Sequence, residues 1–197
     1  MKQILITRNN NVVSFQTVNI DNTEMVFFTN KDTQEAHWPT IITNQLGPAP
    51  SPNSSQYAPS GSATPPFVVN YGCQIKGHES EAGVINVFAA LGPTQNTTLP
   101  NATVNVPVQV AIVTGGASPY QISGQLFQVV DSAGNIIQQG SNSVGPGLSL
   151  TPSNDNSGIT LGGAPTVVGT YQFTFNVTDN TDGNLQGIQF SMAVSPA

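Results

Sequence analysis

Charge is scarce in this chain. Of its 197 residues only 7% are charged, 4 Lys or Arg against 10 Asp or Glu, where an average soluble protein devotes about 25% to charge. Long soluble helices depend on Lys, Glu and Arg for their wet faces, so the shortage excludes a largely helical protein. No Lys or Arg lies beyond Lys76, and the net charge is -6. That excludes nucleic acid as a partner and docking on anionic membranes, both of which need clustered cations. Long apolar runs are missing as well. The longest is five residues, Val87 to Leu91, too short for membrane insertion, and the opening Met1 to Ile6 is no signal peptide. So few charges nonetheless suit a protein outside the cytoplasm, periplasmic, at the cell surface or secreted. The expectation is an extracytoplasmic chain whose leader has been replaced by an initiating Met. A single cysteine excludes an internal disulfide. Cys73 is therefore a buried hydrophobe, a reactive thiol or a ligand.

What the chain has is turn chemistry and alternation. Gly and Pro number 19 and 15, and hydrophobic residues make up 38%. This composition builds a core from short strands joined by turns, an all-β protein. In the first part, Ile4 and Ile6 share a face, Val13 and Phe15 lead to Val18 and Ile20 across an expected bulge, and Val26 and Phe28 share a face. Asn44 to Pro66 reads as a long loop or edge excursion, and Phe67–Tyr71 and Val84–Phe88 as strands. Later strands are expected at 106–113, 125–130, 135–138, 171–177 and 187–194, with hairpin turns at Asp131–Asn135 and Asp179–Gly183.

Charge placement divides the chain. The first part holds +4 and -6, net -2, and everything after Glu81 holds only Asp131, Asp155, Asp179 and Asp182, net -4. Such a shift marks two modules. Leu91 to Pro100 reads as the linker, giving domains at 1–94 and 95–197, each a β-sandwich.

The chemistry concentrates in Tyr71-Gly72-Cys73-Gln74-Ile75-Lys76-Gly77-His78-Glu79-Ser80-Glu81-Ala82-Gly83. A thiol and an imidazole five residues apart sit on one loop between two strands. The other histidine, His37, follows the strand Val26–Asn30. Two imidazoles and a thiolate form the ligand set of a mononuclear blue-copper site, and zinc accepts the same donors. Trp38 and Pro39 beside His37 read as packing. Glu79 and Glu81 read as solvated charges, since no nucleophile, base and orienting group accompany them. Neither Gly115-Gly116 nor Gly162-Gly163 is followed by the Lys of a phosphate loop.

Val26-Phe27-Phe28-Thr29-Asn30, Asp32, His37, Tyr71-Gly72-Cys73, His78 and Gly83-Val84-Ile85-Asn86-Val87 recur in the order found in cupredoxins. Residues 1 to 90 thus resemble that family. The resemblance implies a Greek-key sandwich holding copper near one end through His37, Cys73 and His78. It departs at the axial ligand, where the family's Met is replaced by Glu81. If that carboxylate binds, it is expected to favour Cu(II) and lower the reduction potential. Otherwise it points to solvent and the copper is three-coordinate or water-capped.

Residues 98 to 195 resemble the Ig-like domains of bacterial surface proteins, relatives of cadherin-like modules, through Gly115-Gly116-Ala117-Ser118-Pro119-Tyr120 and Gly169-Thr170-Tyr171-Gln172-Phe173-Thr174. The resemblance implies a spacer or adhesive unit. Asp179, Asn180 and Asp182 offer too few oxygens for calcium and read as a hairpin turn. The leading expectation is an extracytoplasmic copper protein transferring single electrons, not an enzyme, with a redox protein or cell-surface component as partner. The alternative is a structural or adhesive surface protein of two sandwiches, self-assembling as a homo-oligomer, with a vestigial or purely structural metal site.

Overall fold

The computed structural model describes residues 2–41, 56–57, 64–94 and 97–197. Among them every regular element is a strand, and no helix is long and apolar enough to cross a membrane. The chain forms two compact units, Met1–Ala89 and Ala90–Ala197.

The first unit contains β1 (Lys2–Asn9), β2 (Val12–Phe15), β3 (Val18–Asp21), β4 (Val26–Asn30), β5 (Pro39–Ile41), β6 (Gln56–Tyr57), β7 (Phe67–Cys73) and β8 (Ala82–Phe88). Asn10 and Asn11, with φ of 48° and 62°, close the β1–β2 hairpin. Asparagine tolerates that left-handed backbone, and a two-residue turn with both φ positive matches the strand twist. The strands form two four-stranded sheets, β2-β1-β4-β6 and β3-β8-β7-β5. Alternation puts Ile4, Ile6, Phe15 and Val26 of one sheet and Val18, Ile20, Val69, Tyr71, Ile85 and Val87 of the other into a single core. The expected bulge between Phe15 and Val18 is instead a change of sheet: β2 and β3 belong to different sheets, and Gln16–Thr17 crosses between them. The buried phenol of Tyr71 donates its hydrogen bond to the Gln16 carbonyl at that crossing. Burial pushes its ionisation up. A Cβ at Gly83 would lie 2.4 Å from the Tyr71 Oη, which explains a glycine at the head of β8. Within the expected loop Asn44 to Pro66, Gln56–Tyr57 pairs with β4 at the sheet edge. Most of the rest lies outside the described residues.

The second unit contains β9 (Gly92–Pro93), β10 (Ala102–Thr103), β11 (Val108–Thr114), β12 (Gln121–Val130), β13 (Ile136–Ser141), β14 (Leu148–Pro152), β15 (Ile159–Gly163), β16 (Gly169–Thr178) and β17 (Asn184–Ser195). They form the sheets β10-β17-β16-β12-β13 and β14-β15-β11-β9. Tyr171, Phe173, Phe175 and Val177 alternate inward along β16 and join Ile112, Leu161, Phe190 and Met192 in the core. The rings of Phe173, Phe175 and Phe190 stack with centroids 5.8 to 6.4 Å apart. Leu91–Pro100 is not a free linker. Gly92–Pro93 pairs with Val113–Thr114, and buried Leu99 donates its amide to the Ser191 carbonyl. Both expected hairpins are present, β12 turning into β13 through Asp131–Asn135 and β16 into β17 through Asp179–Gly183.

Candidate metal centre

Three stretches of the first unit supply the site. The turn after β4 carries Asp32, Glu35 and His37, β7 ends on Cys73, and the loop from Gln74 to Glu81 carries His78. Asp32 shapes the first stretch, because its amide donates to Asn30 Oδ1 and its Oδ1 accepts from the Gln34 amide. The Asn30 side chain reaches across to the Glu35 carbonyl. His37 thereby enters at the start of β5, whose register sets Pro39 opposite Cys73. The third stretch folds back on itself through His78 N to Ile75 O at 3.0 Å, Glu81 N to His78 O at 2.9 Å, and Cys73 N to Glu81 O at 2.9 Å. Gly77, at φ 93°, permits the turn.

These backbone constraints bring all four sequence-predicted residues together. One ligand atom each from His37, Cys73, His78 and Glu81 lies within 4.8 Å of the others. His37 Nδ1 is 2.9 Å and His78 Nδ1 3.0 Å from the same oxygen, Glu81 Oε2. Cys73 Sγ is 3.7 Å from His78 Nδ1. Glu81 therefore turns into the cluster rather than out to solvent, its side chain only 12% exposed. The Trp38 amide donates to Cys73 Sγ at 3.3 Å, so the residue expected to serve only as packing also holds the sulfur. The His37 ring is buried, with the Phe15 ring edge-on to it at 5.9 Å. Glu79 is exposed and accepts the Gly77 amide, which lowers its pKa. It forms no carboxylate pair with Glu81.

The donors fit a metal ion. A tetrahedral ion with bonds of about 2.0–2.3 Å holds its donors roughly 3.3–3.8 Å apart, close to this spacing before any adjustment. Two ring nitrogens aimed at one carboxylate oxygen are satisfied either by hydrogens on the rings or by a cation among the donors. Thiolate and imidazole suit copper and zinc, not calcium or magnesium.

Behind His37 lies a second layer made of Asp32, which belongs to the cupredoxin-like pattern, and Arg8, which no motif singled out. Asp32 Oδ2 is 2.8 Å from His37 Nε2 and accepts from Arg8 Nε at 2.9 Å. Arg8 holds the Asp32 carboxyl well below the usual carboxylate range, outweighing the opposing effect of burial. A carboxylate with a depressed pKa stabilises the fold above its ordinary value of about 3.9 and loses that contribution only as pH falls through the lower folded value. The signal was present in β1: Ile4, Ile6 and Arg8 share one face by period 2, and a charge on a buried face requires a partner.

No protein-family model and no curated protein matches the sequence. Solved structures do match, distantly. CopC from Methylosinus trichosporium OB3b is 17% identical over 55% of this chain and 92% of its own, with a TM-score of 0.29. The endo-fucoidan hydrolase MfFcnA4 of glycoside hydrolase family 107 is 16% identical over 88% of this chain, at 0.38, and the match spans only 24% of that enzyme. Three N-terminal domains of the bacteriophage RB49 outer capsid protein Hoc are 10% identical over 92% of this chain and 67% of theirs, at 0.37. The class common to them is β-rich, as this chain is by its own strands. Likenesses at these scores say nothing of its chemistry.

Proposed function

We propose that the first unit is a cupredoxin-like domain that binds one copper ion through His37, Cys73, His78 and Glu81, in an extracytoplasmic protein that transfers single electrons. The convergence of these four donors carries the reading. A bound copper supplies a one-electron change between Cu(I) and Cu(II). The chain's own residues supply softness through Cys73, a fixed sulfur through the Trp38 amide, and negative charge through Glu81. Electron transfer asks for a rigid site near the surface rather than for a substrate pocket or catalytic side chains. The partner is then a redox protein or a cell-surface component, and the second unit serves as an Ig-like spacer. Zinc is the competing metal for the same donors.

Titrating Cu(II) into purified protein tests this. One equivalent is expected to bind with an intense visible thiolate-to-copper band, and a colourless protein that takes up no copper overturns the reading. Glu81→Met is expected to raise the reduction potential by about 59 mV or more, a tenfold or greater loss of preference for Cu(II). An unchanged potential would remove Glu81 from the ligand set.

One observation favours the structural reading. Strand β13 is the edge of its sheet and is exposed along its whole length, without a charge or a proline. Ile136 and Ile137 there are 53% and 49% exposed. Edges normally carry Lys, Pro or a covering segment to prevent pairing with another chain. The register places Gln139, Gln128 and Gln172 in one row across β13, β12 and β16, and Gln128 donates to Gln172. Antiparallel pairing of β13 with a second copy through Gln139 would continue that row. Self-association in sedimentation, abolished by Gln139→Lys, supports assembly; a monomer at all concentrations removes it.

A further inference from the structure

Arg8 is the only arginine of the chain, and it lies on both carboxylates that face the outer nitrogens of the two histidines. Its guanidinium contacts Asp32 Oδ2 at 2.8 Å and also pairs with Glu35. Asp32 Oδ2 faces His37 Nε2 at 2.8 Å, and Glu35 Oε2 faces His78 Nε2 at 3.6 Å. His37 is thus held between Asp32 and the inner donor cluster, whereas Glu35 stands near His78 beyond hydrogen-bond distance. Asp32, Glu35 and His37 also lie close enough together to hold an ion of their own. Arg8 already occupies both carboxylates, so that trio is not a second cation site.

The side chains of Asp32 and His37 are both 0% exposed, and that of Arg8 is 14% exposed. Buried groups of this kind are retained in a fixed arrangement, since removing one leaves the others without partners. An ionised carboxylate can only accept, so the hydrogen between Asp32 and His37 sits on Nε2. That leaves Nδ1 as the nitrogen presented to Cys73, His78 and Glu81. Orientation follows as well, because a ring anchored at Nε2 and packed edge-on against Phe15 cannot flip.

We propose that Arg8, Asp32 and Glu35 form a positioning clamp that sets His37 as an Nδ1 ligand with its hydrogen on Nε2, and steadies His78 from the exposed side. The clamp rests on the copper reading for its purpose, though its geometry exists without metal. Carboxylates hydrogen-bonded to ligating imidazoles make them stronger donors, and losing such a partner costs about 10–100-fold in metal affinity. Glu35 is 49% exposed and sits farther from its ring, so it contributes less than Asp32.

The experiment has a metal-free arm and a copper arm. In the metal-free protein, long-range 15N–1H spectra of His37 are expected to show a slowly exchanging hydrogen on Nε2. A His37 without that hydrogen overturns the clamp whether or not any variant folds. In Asp32→Asn the hydrogen should lose its protection, and competition with a chelator of known strength should show copper held about 10–100-fold more weakly. Glu35→Gln, on the exposed side, should lower affinity by a smaller factor. A folded Asp32→Asn protein with wild-type affinity and an unchanged reduction potential overturns the proposal. If the wild-type chain binds no copper, the functional reading fails, and the His37 spectra still decide the clamp.

Discussion

Cys73→Ser is expected to leave the first unit folded and to abolish the visible thiolate-to-copper band completely. The fold survives because the backbone of Cys73 does the structural work, donating to the Glu81 carbonyl and lying opposite Pro39 in the β5–β7 ladder. A serine hydroxyl is smaller than the thiol and can still accept the Trp38 amide, so the stability change should stay within about 1 kcal/mol. The chemistry does not survive. A neutral hydroxyl is a hard and weak donor, and the substitution removes the one soft donor that distinguishes this cluster from an ordinary acid and histidine group. Circular dichroism checks the fold, and the absorption spectrum after copper addition checks the site. A variant that keeps the full visible band would show that the sulfur is not a ligand, and the electron-transfer reading would go with it.

The grouping of His37, Cys73, His78 and Glu81 was more legible in the sequence than the orientation of their side chains. The spacing between Cys73 and His78 on one loop, and the placement of His37 after β4, follow from strands of known period and a short loop. Whether Glu81 faces inward depends on its amide bonding to the His78 carbonyl, a turn geometry that residue spacing does not encode. The clamp behind His37 was half visible. Asp32 belonged to the pattern that carried the family resemblance, whereas Arg8 becomes noticeable only when β1 is read as one continuous inward face.

The strands of the second unit show the same limit. Long alternating runs such as Tyr171 to Val177 declared themselves. β14 and β15 did not, because Leu148 and Leu150, and Ile159 and Leu161, alternate only briefly among glycines, prolines and serines. The Gly162-Gly163 pair, which lacks the Lys of a phosphate loop, lies within β15. Gly163, at φ 120°, would place a Cβ 2.2 Å from the Gly147 carbonyl oxygen. The pairing of β14 on β15 therefore needs glycine there. Glycine here marks a close approach of backbones within a sheet.

Asp179→Ala should destabilise the second unit by about 3 kcal/mol, roughly a hundredfold in its unfolding equilibrium. Asp179 ties two loops together. Its Oδ1 accepts the amides of Gly183 at 2.7 Å and Thr181 at 3.1 Å, and its Oδ2 accepts the amide of Ala117 at 2.7 Å. The Thr181 hydroxyl, on a residue 1% exposed, donates to the same carboxylate. Gly116 at φ 76° lies so close that a Cβ would fall 2.3 Å from Oδ2, which gives Gly115-Gly116 its purpose in bringing the loop onto the acid. Removing the carboxylate leaves those donors without an acceptor, each costing about 1–3 kcal/mol if water cannot enter. Asp179→Asn should lose about half as much, since an amide retains one oxygen. Amide exchange at Ala117, Thr181 and Gly183 reads the effect directly in the whole chain, and near-wild-type protection in Asp179→Ala would refute it. Calcium has no role in this account, because amide and hydroxyl hydrogens already engage both oxygens. Adding calcium or a chelator to the wild-type protein should leave the unfolding midpoint unchanged, and a midpoint that falls with chelator would mean that a cation, not these hydrogen bonds, holds the loops.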